Sequence, residues 1–214
     1  MSDAPAPQLH DDAAAGARRA RILDAAERCF VRTGFHRTTM QDVAAEAGMS
    51  PGNLYRYFAS KGAIVAGLTE RDRAEVAEGF AGLDGADDLS RAFGRLAHQH
   101  FGAEAREKTV LCLEIWAESA RNRDFAALIG DFECDITGRL AAMFQREQHR
   151  GAVAGGVDPE ALASLVCTFA DGLMVRRAIM SGFDPDTEIA RFIALIEAGM
   201  AGHIPLPPAP ARPA

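Results

Sequence analysis

Apolar residues recur along the chain at intervals of three and four, and period-two alternation of Val and Ile is absent. This spacing is typical of amphipathic α-helices and not of strands. We therefore predict an all-α fold with about nine helices. The first helix is predicted over residues 17–33, and its buried stripe consists of Ile22, Leu23, Ala26 and Phe30.

Two short helices with clear start and stop signals follow the first one. Thr38, with Gln41 three residues later, fits a capping box that opens the second helix. Gly48 is suited to end that helix in the left-handed conformation. Ser50 is a good N-cap and Pro51 a good first residue, so the third helix is predicted to begin about three residues later.

These two helices predict a helix-turn-helix over residues 39–58, because a short turn containing glycine makes them cross steeply. The second helix can then enter the major groove of DNA. Asn and Arg side chains can bond base edges, Tyr and Lys can hold phosphates, and glycine permits close backbone approach. Each residue alone could be a solvated surface position, but the set favours DNA binding: Gly52, Asn53, Tyr55, Arg56, Tyr57 and Lys61.

The distribution of charge supports this interpretation although the net charge does not. The whole chain carries a net charge of −7, which by itself argues against a nucleic-acid partner. Residues 18–61, however, hold eight basic and four acidic side chains. A small basic module therefore precedes a larger acidic one.

The remaining composition excludes several classes of protein. Hydrophobic residues make up 48% and charged residues 25%, which is typical of a globular chain. No apolar run long enough for a membrane span and no signal peptide are visible, so we expect a cytoplasmic protein without a membrane partner. Four widely separated cysteines fit buried thiols better than a metal site or a disulfide framework. We expect no metal, no cofactor and no catalytic residues.

Many positions in the N-terminal third of the chain, from about residue 18 to 68, form a recognisable pattern at fixed spacing. They are Ile22-Leu23-Asp24-Ala25-Ala26, Phe30, Gly34-Phe35, Thr38-Thr39-Met40, Val43-Ala44, Ala47-Gly48-Met49-Ser50-Pro51-Gly52-Asn53-Leu54-Tyr55-Arg56-Tyr57-Phe58 and Ser60-Lys61. This pattern resembles the DNA-binding head of TetR-family transcriptional regulators. It implies an all-α homodimer in which each subunit has a three-helix head and a larger C-terminal domain that binds a small molecule.

The resemblance also assigns roles to individual residues of the head. It implies that Thr38 and Thr39 lie near the DNA backbone and that Tyr55 and Lys61 grip phosphates. Arg18, Arg19 and Arg21 could form a basic arm at the start of the first helix. The residues that it places against DNA on the recognition helix are Ser50, Gly52, Asn53, Arg56 and Tyr57.

We divide the chain accordingly into two domains and two tails. Residues 1–16 are predicted to be a disordered tail, and residues 17–76 the DNA-binding domain with the start of a linking helix. Residues 77–202 are predicted to be the effector-binding and dimerisation domain. Residues 203–214 are rich in proline and are predicted to be extended or disordered.

The last two helices each begin with an Asp-Pro pair and carry one apolar stripe. Either stripe could simply close the core of the domain. Because the corresponding helices of the family pack against their two-fold mates, we predict dimerisation through both stripes. The residues concerned are Leu162, Leu165, Val166, Phe169 and Leu173 in one helix, and Ile189, Phe192, Ile193, Ile196 and Met200 in the other.

An effector pocket is expected between helices four to eight, with an apolar or amphipathic small molecule as its ligand. Many of its candidate residues could equally be ordinary core. They are Phe93, Leu96, His100, Leu111, Ile115, Trp116, Phe125, Phe132, Met143, Phe144 and Met174. Polar positions within apolar stretches are Glu114, Glu118, Thr168 and Asp171, and for Asp171 an interface or helix role is favoured over a ligand role.

The function predicted is that of a ligand-responsive transcriptional regulator, a repressor released from a palindromic operator by its effector. Two alternatives stay open at this point. One is an architectural DNA-binding protein without an effector. The other is an all-α enzyme with a buried site formed by acidic residues such as Glu114, Glu118 or Asp171.

Overall fold

The computed structural model describes residues 7–83, 86, 88–103 and 105–207. Within these residues it contains nine α-helices, one π-helical turn and no strand, which confirms the predicted fold class. The helices are α1 (Pro7–Thr33), α2 (Met40–Glu46), α3 (Pro51–Tyr55), α4 (Lys61–Ala81), α5 (Leu89–Ala97), α6 (Arg106–Ser119), α7 (Arg123–Arg150), α8 (Pro159–Ile179) and α9 (Pro185–Met200).

The chain forms two compact units, which we call the head and the body. The head comprises residues up to Arg71, and the body comprises residues from Asp72 onward. Helix α4 therefore contributes residues to both units. No described helix is long and apolar enough to cross a membrane.

Helix α1 begins ten residues earlier than predicted. The expectation of a disordered tail over residues 7–16 is wrong, because the helix already starts at Pro7. Proline is well suited to a first helical position, and the alanines at 13–15 have the highest helix propensity of any residue. Residues 1–6 of the predicted tail lie outside the described residues. The C-terminal tail has no regular structure over 203–207, and residues 208–214 also lie outside them.

The core of the head is built from apolar residues of α1 to α4. Ile22 and Phe30 of α1 are fully buried together with Leu54 of α3 and Phe58 just after it. The Phe30 ring meets Phe35 edge-on, with centroids 5.4 Å apart. A helix of five residues cannot be stable alone, so α3 depends on its contacts with this core. These contacts are made by the side of α3 that carries Leu54.

The body encloses one continuous apolar cluster formed by α5 to α9. Seven of the ten residues predicted to form the dimer interface lie inside it, so for these seven the dimer assignment is wrong. The stripes of α8 and α9 are needed to pack these helices against the rest of their own subunit. Only Leu165, Phe169 and Ile193 remain partly exposed. The seven buried residues are Leu162, Val166, Leu173, Ile189, Phe192, Ile196 and Met200.

The four cysteines are free thiols. Cys29 is buried, Cys112 and Cys167 are half-buried, and Cys134 is exposed, so the expectation of buried thiols is wrong for Cys134. Among the described residues no group of three or more His, Cys, Asp or Glu side chains is arranged to hold a metal ion.

Candidate nucleic-acid interface

The second helix opens with a capping box, one residue later than predicted. Thr39 is the N-cap: the Asp42 backbone N–H donates to Thr39 Oγ1 (3.2 Å), and the Thr39 N–H donates to Asp42 Oδ2 (2.8 Å). Hydrogen bonds from the Thr39 hydroxyl and backbone hold the pKa of Asp42 below its usual value. The box therefore involves Thr39 and Asp42, and not Thr38 and Gln41.

Thr38 does not reach the surface of the head. Its side chain is 1% exposed, and its hydroxyl donates to the Gly34 carbonyl at 2.9 Å. A second contact joins it to the Thr33 hydroxyl at 2.8 Å. The structure thus gives Thr38 the task of closing the turn after α1, where Gly34 adopts φ 86°. The prediction that Thr38 contacts DNA is wrong for this reason.

The turn between α2 and α3 forms as the sequence predicts. Gly48 adopts a left-handed φ of 64°, and the next backbone N–H, of Met49, returns to the Ala44 carbonyl at 2.9 Å. Ser50 is the N-cap of α3, since its hydroxyl accepts from the Asn53 N–H at 3.3 Å, and Pro51 is the first helical residue. Local sequence signals are sufficient to predict this turn, because the residues that form it are at most five positions apart along the chain.

The outward side of α3 is polar and open to solvent. Gly52, Tyr55 and Arg56 are exposed, with Tyr55 at 52%, while Asn53 and Tyr57 are half-buried. The opposite side of α3 is anchored in the core of the head through Leu54, so these polar groups are left toward solvent. A Cβ on Gly52 would meet no atom within 4 Å, so the protein itself does not require glycine there.

Two arginines of α1 lie beside the end of the recognition helix. Arg19 donates to the Tyr57 backbone carbonyl (3.2 Å), and its guanidinium lies 4.3 Å from the centre of the Phe58 ring. Arg18 reaches the Tyr57 hydroxyl at 3.5 Å. The structure therefore brings the predicted basic arm next to α3. A cation at this position is also stabilised by the negative, C-terminal end of the helix dipole.

Lys61 points back to the turn between α1 and α2. Its ammonium donates to the carbonyls of Phe35 (2.7 Å) and His36 (3.2 Å) and lies 4.6 Å from the centre of the Phe35 ring. This lysine stabilises the turn within the head. A phosphate contact made by the same ammonium stays a prediction.

Ion pairs that the sequence did not reveal hold the helices of the head together. Glu46 of α2 accepts from Arg28 (2.9 Å) and Arg32 (3.1 Å) of α1, and these hydrogen bonds lower the pKa of Glu46. Arg71 of α4 binds Asp24 and Glu27 of α1. Arg71 is more than forty residues from its partners along the chain, so no local pattern could have identified it.

The predicted effector-binding residues lie mostly in the apolar core of the body. Phe93, Met143, Phe144 and Met174 belong to the buried cluster; Leu96 and Trp116 pack against it. Leu111 and Phe125 are buried, and Ile115 and Phe132 are half-buried. His100 is exposed, because in the π-helical turn His98–Ala103 its neighbour Phe101 takes the buried position. An interior pocket position for His100 is therefore wrong; the other ligand roles stay predictions.

Glu133 of α7 and Asp171 of α8 form an acidic pair in which the pKa values of both carboxyl groups are raised. Burial, together with the charge of Asp171, raises the pKa of Glu133 to about 7. Burial also raises the pKa of Asp171. The Thr137 hydroxyl contacts the Cys167 sulfur (3.4 Å) between the same helices. Of this cluster only Asp171 was predicted from the sequence, because Glu133 and its partner are 38 residues apart along the chain.

A three-helix head that presents a capped polar recognition helix, followed by a helical body, defines a helix-turn-helix transcriptional regulator. The family model described as bacterial regulatory proteins, tetR family, matches residues 22–68. The model described as BetI-type transcriptional repressor, C-terminal, matches residues 87–204. The chain belongs to the TetR family of transcriptional regulators. Members of this family bind DNA, function as dimers and typically respond to ligands.

Individual relatives are similar over most of their length. The transcriptional regulator UidR of Escherichia coli is 29% identical over 160 residues, which cover 73% of this chain and 79% of UidR. The transcriptional repressor Rv1474c of Mycobacterium tuberculosis is 27% identical over 191 residues, covering 89% of this chain and 96% of that protein. The structure of Salmonella enterica GusR superposes with a TM-score of 0.74 at 26% identity, covering 86% and 95% of the two chains.

Proposed function

We propose that this protein is a homodimeric repressor that binds a palindromic operator through two copies of α3 and leaves it when a small molecule binds the body. The observation that carries the proposal is the exposed polar side of α3, which is held rigidly by a buried opposite side. Operator half-sites for adjacent major grooves lie ~34–36 Å apart, and two symmetric heads can meet that spacing. A regulator of this kind acts in the cytoplasm, where the DNA is.

The residues of the head divide into base-reading and phosphate-holding groups. Asn53 and Arg56 suit base edges, since amide and guanidinium groups bond them in pairs. Tyr55, Thr39 and Ser50 suit phosphates through their hydroxyls, although Ser50 and Thr39 already cap helices. Each such group is exposed or half-buried in the head.

Two of the basic residues have a second task, to position the recognition helix. Arg19 holds the end of α3 through the Tyr57 carbonyl, and Lys61 holds the turn between α1 and α2. Together with Arg18, these two residues contribute positive charge to the head. Positive charge there attracts DNA whatever its sequence.

The effector would act by binding the state that does not bind DNA more tightly than the state that does. A ligand with equal affinity for both states would shift nothing. Typical coupling amounts to ~1–3 kcal/mol and is reciprocal, so operator DNA should weaken effector binding by the same factor. The apolar core of the body favours an apolar or amphipathic molecule.

The proposal is tested by fluorescence-anisotropy titration with the intergenic DNA upstream of the protein's own gene. We expect saturable binding that exceeds binding to random DNA by ~10³-fold or more. Asn53→Ala should relax the preference at one base pair by ~1–3 kcal/mol and leave binding to random DNA unchanged. Equal affinity for both DNAs in the unaltered protein would contradict specific regulation and would instead support an architectural role.

A further inference from the structure

The turn that joins α1 to α2 is held by hydrogen bonds at both of its ends, and we call it the α1–α2 turn. At its start the Gly34 N–H donates to a carbonyl of the last turn of α1 at 2.8 Å, and the Thr38 N–H returns to the Gly34 carbonyl at 3.2 Å. The ammonium of Lys61 bonds the carbonyls of Phe35 and His36 from the start of α4. The backbone of this turn therefore has one defined course.

Arg37 is the residue of the α1–α2 turn that directly follows these two carbonyls. Its side chain is exposed, whereas that of the next residue, Thr38, is buried. Thr39, the N-cap of α2, is again exposed and has extended backbone angles. The burial of Thr38 therefore leaves Arg37 and Thr39 at the surface of the head, beside the start of α2.

The guanidinium of Arg37 forms no hydrogen bond or ion pair with any residue that the structure describes. The carboxylates that precede and follow it in the sequence are not available to it. Each of the four carboxylates in residues 22–46 is bound by another side chain of the head: Asp24, Glu27, Asp42 and Glu46. The positive charge of Arg37 is thus left to an anion from another molecule.

The place of Arg37 in the helix-turn-helix decides which anion this is. When the second helix of such a pair enters the major groove, the first helix crosses the DNA backbone. A side chain at the entry to α2 then meets phosphates and not base edges. Guanidinium groups bind phosphate through two parallel N–H donors and stay charged at any physiological pH. A turn with a fixed backbone also loses less conformational entropy when its side chain binds.

We infer that Arg37 binds a phosphate of the DNA backbone at the α1–α2 turn, outside the major groove that α3 enters. The inference rests on the proposed function and adds one contact to the same interface. Because a phosphate carries no sequence information, this contact strengthens binding to every DNA and leaves the preference for the operator unchanged.

The first test measures the salt dependence of DNA binding by fluorescence anisotropy. Arg37→Ala should weaken binding to operator and to random DNA by the same factor, ~10-fold. The slope of log affinity against log salt concentration should fall by about one ion per head. Arg37→Lys keeps the charge and should keep the slope of the unaltered chain. An unchanged slope for Arg37→Ala, or a loss confined to the operator, would overturn the phosphate contact.

The matched control is Arg121→Ala, which removes the same charge from a turn of the body. Arg121 is exposed between α6 and α7, and its guanidinium likewise bonds no residue that the structure describes. Its removal should leave the slope and both affinities unchanged. An equal effect of Arg121→Ala would assign the loss to net charge alone and would overturn the inference. Circular dichroism verifies that each variant keeps its helices.

The second test locates the phosphate. The operator duplex is prepared with one neutral methylphosphonate at a time, and each duplex is titrated with the unaltered chain and with Arg37→Ala. A neutral group at the phosphate that Arg37 binds should weaken binding of the unaltered chain and leave that of Arg37→Ala unchanged. We expect one such position in each half-site. Identical profiles for the two proteins would overturn the inference even if their salt slopes differ.

The unaltered chain separates this inference from the proposed function. If it binds operator and random DNA equally, specific regulation fails, and the salt slope on random DNA still decides the role of Arg37. If it prefers the operator while Arg37→Ala changes neither the slope nor the methylphosphonate profile, the function stands and only this contact is overturned. A chain that binds neither DNA overturns both.

Discussion

The acidic pair of the body makes its stability depend on pH in a direction that can be worked out. The pKa of Glu133 rises from an ordinary value of 4.5 to about 7 in the folded chain, because burial and the neighbouring Asp171 disfavour the charged form. The protonated carboxyl is therefore the form that the fold prefers. The free energy of unfolding should be highest below about pH 4.5 for this group, fall between pH 4.5 and 7, and level off above about 7.

The size of this effect follows from the shift and from the exposure of the side chain. A full shift from 4.5 to about 7 corresponds to about 3 kcal/mol. Glu133 is only half-buried, so solvent screens part of this energy, and we expect a loss of ~1–2 kcal/mol between pH 5 and pH 8. Replacement of Glu133 by Gln, which resembles the protonated acid, should abolish that loss.

The single tryptophan, Trp116, lies in the body, so its fluorescence follows urea unfolding of the body. Glu133→Gln should match the unaltered chain at pH 5 and exceed its free energy of unfolding by ~1–2 kcal/mol at pH 8. The control is Asp131→Asn, which makes the same change of charge at an exposed carboxylate of the same helix. A difference for Glu133→Gln that stays constant from pH 5 to pH 8 would refute the reasoning.

The head allows two further predictions. Gly52→Ala should not lower the thermal stability, because its Cβ has free space, yet it should weaken operator binding ~10-fold or more if the DNA backbone approaches there. Gly130→Ala, in the interior of α7, should leave operator binding unchanged. Full operator affinity of Gly52→Ala would exclude close approach. Lys61→Ala should lower the free energy of unfolding of the head by ~1–3 kcal/mol, because its hydrogen bonds to two carbonyls are lost. It should also reduce the salt dependence of DNA binding by about one ion. An unchanged salt slope would show that the role of Lys61 is purely structural.

The head was predictable where its signals are local. Ser50, Pro51 and Gly48 act within a few residues, and the structure places each as expected. The capping box shows the limit of such reasoning. Thr38 with Gln41 and Thr39 with Asp42 have the same spacing, and the structure selects the second pair because Thr38 is occupied at the end of α1. The hydrogen bond of Thr38 depends on Gly34 and on the turn after α1, and neither of them is part of the capping pattern.

The body was predictable as a set of helices, but the partners of its helices were not. An apolar stripe indicates which side of a helix is buried and does not indicate whether its own subunit or a second copy buries it. The stripes of α8 and α9 turned out to close the core of the subunit.

Because the recognition helix is short, specific DNA binding depends on more than one head. Helix α3 has five residues, and one side of it is used to anchor Leu54 in the head, so only a few side chains remain to read bases. Each good base contact contributes ~1–3 kcal/mol of discrimination, which is too little from one head to select a site in a genome. Specific binding therefore requires two heads at a fixed separation. Association of two subunits supplies such a pair of heads, so a substitution that prevents association should reduce operator specificity while each single head still binds DNA.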